Sequence, residues 1–152
     1  MKAWSPAWSP AWVPAAALAL ALSPLAVLHP FQVRGRSMEP LLKDGELRFA
    51  LRAWAAGPPR RGELWLVEGP EGPAVKRIAA LPGERLELRD GDLFVDGRRI
   101  PPPEGATLER QDGAWACGEG CFLLGDNRPA SRDSRAWGPL PRAALRARVL
   151  GS

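Results

Sequence analysis

The 152-residue sequence predicts an all-β domain that follows a single membrane-spanning helix. Two observations support this fold class. The N-terminal segment is apolar and uncharged, and the chain after Pro30 consists of short runs separated by turn residues. The 17 prolines and 16 glycines argue against long helices beyond the N-terminal segment. With 45% hydrophobic and 25% charged residues, the composition is typical of a globular chain.

The N-terminal segment has no charged side chain between Lys2 and Arg34. Residues 11–29 are rich in Ala and Leu and are roughly long enough to cross a hydrocarbon core of about 30 Å as a helix. We therefore predict a transmembrane anchor over residues 11–29. Residues 1–10 are predicted to be a short interfacial segment, because tryptophan favours the membrane–water interface: Trp4 and Trp8 lie in this segment, and Trp12 lies at the start of the predicted anchor.

A retained anchor is the preferred interpretation, with a cleaved signal peptide or a buried soluble helix as alternatives. Pro14 fits the first turn of a helix, whereas Pro24 would kink or end it. Lys2 and the amino terminus favour an N-terminus inside the cell, which predicts the domain on the extracytoplasmic face of the cell membrane. The formal net charge of +4 is mild and spread along the chain, so it suits anionic lipid head groups better than specific nucleic-acid binding.

Residues 30–152 are predicted to form one β-rich domain with a small hairpin insertion at about 85–124. Leu47, Phe49 and Leu51 alternate with Arg and Ala, which gives one strand a period-2 apolar face. Two Asp-Gly pairs predict tight turns in a small meander, since this dipeptide supplies positive φ angles. The other predicted strands are Glu63–Glu68, Ala74–Leu81, a hairpin in AWACGEGCFLL, and a final strand after one helical turn in LPRAALRARVLGS.

Cys117 and Cys121 flank a short glycine-containing turn. Two ligands do not fill a structural zinc site, and no histidines follow them. A local disulfide in an oxidising compartment and two unpaired thiols remain equally open interpretations.

Ser37, in GRSMEPLL, is a candidate nucleophile and needs a base to take its proton. The one histidine, His29, lies at the edge of the apolar segment and is a weak candidate. A lysine buried among apolar groups can act instead, because burial disfavours its charged form. Of the three lysines, Lys2 lies beyond the anchor and Lys43 lies in a polar turn, while Lys76 alone is embedded in an apolar run, AVKRIAAL.

Three stretches in order, SMEPLL, VKRIAALPGE and GDNRPASRDSRAWG, closely resemble the boxes of the bacterial type I signal peptidases. These are membrane-bound serine/lysine proteases that remove signal peptides from exported preproteins. The resemblance covers the chain from the anchor to the C-terminus. It implies a compact, coiled antiparallel β-sheet or partial barrel.

The resemblance also implies the roles of individual residues. Ser37 resembles the nucleophile and Lys76 the general base, while Ser131 matches the serine that orients the lysine amine. Asp133 and Arg135 match the buried pair that braces this loop. Met38 and Pro40 belong to the serine box. Gly125, Asp126 and Asn127 would form the turn that enters the third box.

Four positions depart from the family pattern. Leu41, Ala80 and Glu84 replace the usual Thr, Gly and Asp. Gly35 stands where some relatives place a serine that helps to hold the oxyanion. The oxyanion would then rest on backbone N–H groups, chiefly that of Ser37.

The resemblance implies hydrolysis of one peptide bond through an acyl-enzyme on Ser37, with small residues at the first and third positions before the cut and the substrate held as an extended strand. No metal or cofactor is indicated. The expected partners are signal-peptide-bearing preproteins and the lipid bilayer, and the expected state is a monomer. One alternative is another serine/lysine peptidase with a dedicated substrate, such as an enzyme that processes a conjugative pilin or a repressor that cleaves itself. The other alternative is a non-catalytic, membrane-anchored domain that binds peptides.

Overall fold

The computed structural model describes residues 26–151, so the predicted interfacial segment and most of the predicted anchor lie outside it. Within these residues, no helix has the length and apolar character needed to cross a membrane. The described chain is mostly β, with short helical turns. Its strands are β1 Leu28–Gln32, β2 Leu47–Arg52, β3 Leu64–Gly69, β4 Gly72–Ala80, β5 Arg85–Arg89, β6 Asp92–Val95, β7 Arg98–Ile100, β8 Gly113–Ala116, β9 Gly120–Leu124, β10 Leu140–Pro141 and β11 Leu145–Val149. The helices are α1 Ala53–Ala56, α2 Ser134–Trp137, and two 3₁₀ turns, Arg128–Ala130 and Arg142–Ala144.

The strands form two open antiparallel sheets. The larger sheet has the order β1-β2-β11-β3-β4-β9-β10, and the smaller one has the order β7-β6-β5-β8. Neither sheet of the described residues closes into a barrel, so the antiparallel all-β class is confirmed while the partial barrel is not seen. The smaller sheet contains the predicted meander. Both of its Asp-Gly turns have positive φ at both residues, as the sequence predicted: 51° and 88° at Asp90 and Gly91, and 48° and 77° at Asp96 and Gly97.

Three details differ from the sequence-based expectation. The hairpin predicted in AWACGEGCFLL is wrong, because β8 pairs with β5 in the smaller sheet whereas β9 pairs with β4 and β10 in the larger one. Leu28 and His29, assigned to the anchor, lie in β1. The apolar alternation of β2 marks an outer surface and not a core face, since Leu47 is 66% exposed and Phe49 is 50% exposed.

The buried side chains fall into three clusters that hold the sheets and the site in place. One cluster lies on the larger sheet around Trp65, Ile78 and Leu123. A second joins the two sheets through residues such as Leu86 and Phe122. The third seats the loop between β1 and β2, and contains Val33, Met38, Leu42, Leu64, Val75 and Val149. Burial of large apolar side chains at about 1.5–3 kcal/mol each is the main source of the order in this loop.

Cys117 and Cys121 are free cysteines in the structure, and both are buried. They pack in different clusters: Cys117 lies between the two sheets, and Cys121 lies on the larger sheet. Burial raises the pKa of the Cys117 thiol to about 11, with a further contribution from the charge of Glu84. Burial likewise raises the pKa of Cys121. In the structure the two cysteines are therefore unpaired thiols, which is the second of the two interpretations that the sequence left open.

We expect native protein to resist alkylation by iodoacetamide at pH 8, because at a pKa of about 11 only about one Cys117 thiol in a thousand is a thiolate. Unfolding without a reductant should then allow two carbamidomethyl groups to be added per chain, as measured by intact mass. Unfolded chains that accept no label before reduction would instead show a disulfide. Rapid labelling of the native protein would show that the thiols are not buried.

Candidate active site

Ser37 lies at the tip of a tightly closed loop between β1 and β2. Hydrogen bonds from Val33 N to Glu46 O (2.8 Å) and from Gly45 N to Val33 O (2.9 Å) close the base of the loop. Inside it, Leu42 N donates to Met38 O, and Met38 itself is 1% exposed. The burial of the residue next to Ser37 therefore fixes the position of the half-buried serine.

Asn127 ties this loop to the third sequence box. Its backbone N–H donates to Ser37 O at 3.0 Å, and its side-chain Nδ2 donates to Arg36 O at 3.1 Å. Two hydrogen bonds from one residue thus set the position of the Ser37 backbone relative to the strand end at Leu124. Sequence reasoning assigned Asn127 only to a turn and missed this contact.

Lys76 lies in the middle of β4, paired with Trp65 of β3, and is 3% exposed. Its Nζ donates to Ser131 Oγ at 3.1 Å, which is its one hydrogen bond among the described residues. Burial lowers the pKa of Lys76 to about 8, while the carboxylate of Asp133 opposes this shift. A substantial neutral fraction is thus available near neutral pH, which an exposed lysine with a pKa of about 10.4 lacks.

Ser131 connects Lys76 to a buried carboxylate. Its hydroxyl donates to Asp133 Oδ2 at 2.7 Å, so an Oγ lone pair faces the lysine. Asp133 Oδ2 also accepts from Gly125 N at 3.0 Å, and Arg135 Nε donates to Oδ1 at 2.8 Å. Burial alone would raise the pKa of Asp133, but the hydrogen bonds from Arg135, Gly125 and Ser131 outweigh it and hold that pKa below its usual value.

Arg135 fixes the loop that carries Ser131. Its Nη2 donates to two backbone carbonyls, those of Arg128 and Ser131, both at 2.8 Å. Its Nη1 donates to Glu109 Oε2 and Gln111 Oε1, each at 3.0 Å. The side chain is only 8% exposed, so these contacts are made in a desolvated setting where charge-assisted hydrogen bonds are strong.

Gly125 lies where the Ser37 loop and the Ser131 loop approach each other most closely. A Cβ at this position would lie 2.2 Å from Ser131 Oγ and 2.6 Å from Ser37 O. No side chain fits there, so the absence of one lets the Ser37 loop and the Ser131 loop meet. The structure therefore brings Ser37, Lys76, Ser131, Asp133 and Arg135 into one region.

The remaining predicted residues support the loop. Gly35 has φ of 79° and donates its N–H to Asp44 Oδ1 at 2.7 Å, so this N–H is occupied. The Ser37 N–H makes no hydrogen bond within residues 26–151. Pro40 is exposed and rests on Gly105, where a Cβ would lie 2.9 Å from the proline Cγ.

A second interaction that sequence reasoning missed joins the lysine box to the third box. Arg77 Nε and Nη2 donate to the two carboxylate oxygens of Asp126 at 2.8 and 2.6 Å. Arg77 Nη1 also donates to Gly62 O at 2.6 Å. This two-point pairing holds β4 against the end of β9, next to both Lys76 and Gly125. Arg77 and Asp126 both belong to the sequence boxes that resemble the family, and this membership was the signal from which their pairing could have been predicted.

Comparisons with known proteins show the family of this chain. A family model described as signal peptidase, peptidase S26, matches residues 5–151. A signal peptidase I of Bacillus licheniformis is 34% identical over 135 residues, covering 78% of this chain and 73% of the relative. A signal peptidase IB of Staphylococcus aureus is 30% identical over 135 residues, covering 74% and 70%. A crystal structure of a signal peptidase I from Enterococcus faecalis is similar with a TM-score of 0.46 and 28% identity, over 58% of this chain and 93% of that chain.

Antiparallel sheets that carry the three boxes in order define a peptidase of the serine class. The chain belongs to the signal peptidase family, peptidase S26. The predicted family and enzyme class are therefore confirmed.

Gly125→Ala should abolish cleavage and destabilise the fold by about 1–3 kcal/mol, because the new methyl group has no space between Ser131 and Ser37. Gly69→Ala is the matched control, since its Cβ would meet the ring edge of Trp137 at 3.1 Å and Gly72 O at 3.4 Å, and no atom nearer than 3.1 Å. Urea denaturation and a peptide-cleavage assay measure the two effects. Full activity in Gly125→Ala would contradict the close packing described here.

Proposed function

We propose that this chain cleaves signal peptides from exported preproteins, with Ser37 as the nucleophile and Lys76 as the general base. The observation that carries the proposal is the buried Lys76 amine, hydrogen-bonded to Ser131 and with a pKa lowered to about 8. Such an amine can accept a proton at working pH, which arginine or an exposed lysine does poorly.

The reaction has two stages. Neutral Lys76 takes the hydroxyl proton as Ser37 Oγ attacks the scissile carbonyl carbon, and the Ser37 N–H stabilises the resulting oxyanion. The intermediate collapses, the C–N bond breaks, and the Lys76 ammonium protonates the departing amine of the mature protein. Lys76 then takes a proton from water as the water oxygen attacks the ester. Cleavage of the ester releases the signal peptide as an acid and returns the proton to Ser37.

Ser131 selects the productive position of the lysine. A lysine side chain has many rotamers, and holding one of them costs up to roughly 2 kcal/mol in entropy. Because Ser131 donates its own proton to Asp133, it can only accept from Lys76, which leaves the amine lone pair for Ser37. Asp133 and Arg135 are positioning residues, since they act on Lys76 through Ser131.

The family implies substrates with small residues at the first and third positions before the cut, held as an extended strand. Membership also supports a membrane-bound enzyme, with one N-terminal span that ends before β1 begins at Leu28 and the catalytic domain on the extracytoplasmic face. An exposed apolar surface agrees with this placement. This surface starts where the chain leaves the predicted anchor, and its exposed side chains are Leu28, Leu47, Phe49 and Leu150. Within it, Phe49 lies opposite Pro30 and beside Leu150.

Lys76→Arg should reduce preprotein cleavage by about 10²-fold or more while the domain stays folded, because arginine keeps the charge but does not release its proton. Lys43→Arg is the matched control, as Lys43 is exposed in the Ser37 loop. Cleavage is followed by product mass and folding by circular dichroism. A folded Lys76→Arg protein that cleaves at the wild-type rate would remove Lys76 from the mechanism.

The pH dependence follows from the lowered pKa of Lys76. The protonated amine is inactive, so kcat/KM should fall by about tenfold per pH unit below a midpoint near 8 and level off above it. The measurement is an initial-rate profile with a peptide that lacks titrating groups in this range. A rate independent of pH between 6 and 9 is incompatible with this base.

The proposed topology predicts that protease added outside spheroplasts digests the domain, whereas an intact inner membrane protects a cytoplasmic control protein. The mature chain should begin at or near residue 1, as N-terminal sequencing determines. Protection of the domain from external protease, or a mature chain that begins after residue 20, would contradict the anchor.

A further inference from the structure

A cavity of about 260 Å³ lies between the two sheets, behind the catalytic residues. Three consecutive residues of β4, Arg77, Ile78 and Ala79, border it. Neither Ser37 nor Lys76 lines it. Most of its wall is apolar, and the apolar side chains include Ile78, Leu93, Ile100, Ala106, Leu108 and Leu124.

Arg128, in the wall of this cavity, is a buried cation without a direct ion-pair partner among the described residues. The carboxylates whose charges reach it, Asp126, Asp133 and Glu109, are each bonded to another arginine. The residue is 6% exposed, yet its guanidinium makes no hydrogen bond and no ion pair within residues 26–151. All 17 acidic side chains of the chain lie in this range, so no other part of the chain carries one that could pair with it. An unpaired buried charge is costly, and proteins normally pair such groups.

The guanidinium is buried but still reachable. The side-chain polar atoms that are fully enclosed without a partner, among the described residues, are Arg48 Nε and Trp137 Nε1. The Arg128 nitrogens are not among them, so these donors retain some contact with open space. Arg128 lines both the cavity and a polar depression whose other residues include Ser131, Arg132 and Arg135.

The other charges of the cavity wall are already paired. Arg77 binds Asp126, Arg61 binds Glu84, and the remaining lining carboxylate, Asp92, binds Arg99. Arg128 therefore leaves the wall with one cation that no carboxylate of the described residues bonds, beside an apolar surface. This combination selects for a molecule with one anionic group on an apolar body.

We propose that this cavity is a second binding site, separate from the catalytic residues, for an amphipathic carboxylate. The carboxylate accepts hydrogen bonds from Arg128, and its hydrocarbon chain packs between β4 and β7. A cavity of about 260 Å³ has room for several non-hydrogen groups, and octanoate is the medium-chain probe chosen for it. The site does not depend on the roles proposed for Ser37 and Lys76.

The test uses the full-length protein in nanodiscs of zwitterionic phospholipid, titrated with octanoate by calorimetry after subtraction of empty nanodiscs. Octanol removes the charge and acetate removes the chain, so each should bind at least about tenfold more weakly than octanoate. Arg128→Gln should weaken octanoate binding by about tenfold or more, since charge-assisted hydrogen bonds are lost. Arg132→Gln is the matched control, because this arginine is 71% exposed and lies outside the cavity wall, and it should change affinity less than about twofold.

A second variant keeps the test decisive if Arg128→Gln does not fold. Ile100→Trp places a larger side chain in the cavity and leaves Arg128 in place, so it should also lose octanoate binding. Melting curves of both variants establish folding. The proposal is overturned if octanoate shows no saturable binding, if octanol binds as tightly as octanoate, or if a folded variant of either kind keeps the wild-type affinity.

Discussion

The site depends on the hydrogen bonds that the buried carboxylate of Asp133 accepts. This residue is 1% exposed and accepts hydrogen bonds from Ser131, Gly125 and Arg135, including the backbone N–H of Arg135 at the start of α2. Each contact fixes a different part of the site. Ser131 presents its hydroxyl to Lys76, Gly125 lies between the Ser37 and Ser131 loops, and Arg135 lies in α2. Removing the carboxylate would leave several buried donors without a partner, at about 1–3 kcal/mol each.

The same carboxylate creates a conflict that the position of Ser131 relieves. A negative charge in contact with Lys76 would favour the ammonium form, which cannot accept a proton. In this structure Ser131 stands between the two groups, so Lys76 hydrogen-bonds to a neutral hydroxyl, and the Asp133 charge, which still raises the pKa of Lys76, is not in direct contact with it. Arg135 pairs with Asp133 and further offsets its charge. Burial then remains the largest effect, and it lowers the pKa of Lys76 to about 8.

The sequence predicted the strands best where the signal was local. The Asp90 and Asp96 turns required no knowledge of distant parts, because Asp-Gly supplies the backbone angles itself. The supposed hairpin at Cys117 and Cys121 failed because sheet pairing is decided by long-range partners, here β5 and β4, that no short window contains. The exposed face of β2 likewise could not be predicted, since alternation gives two faces but does not say which one is covered. The sequence boxes pointed to Ser37, Lys76 and Ser131, whereas the bonds of Asn127 to the Ser37 loop depend on tertiary packing.

Burial holds the Lys76 amine partly neutral near physiological pH. The direct measurement is the titration of the lysine side chains in protein labelled with ¹³C at the lysine ε-carbon. The chain has only three lysines, and the Lys76 signal is assigned by its absence from Lys76→Arg. We expect this signal to titrate with a midpoint of about 8. A Lys76 signal that titrates at the ordinary lysine value of about 10.4 would contradict the account.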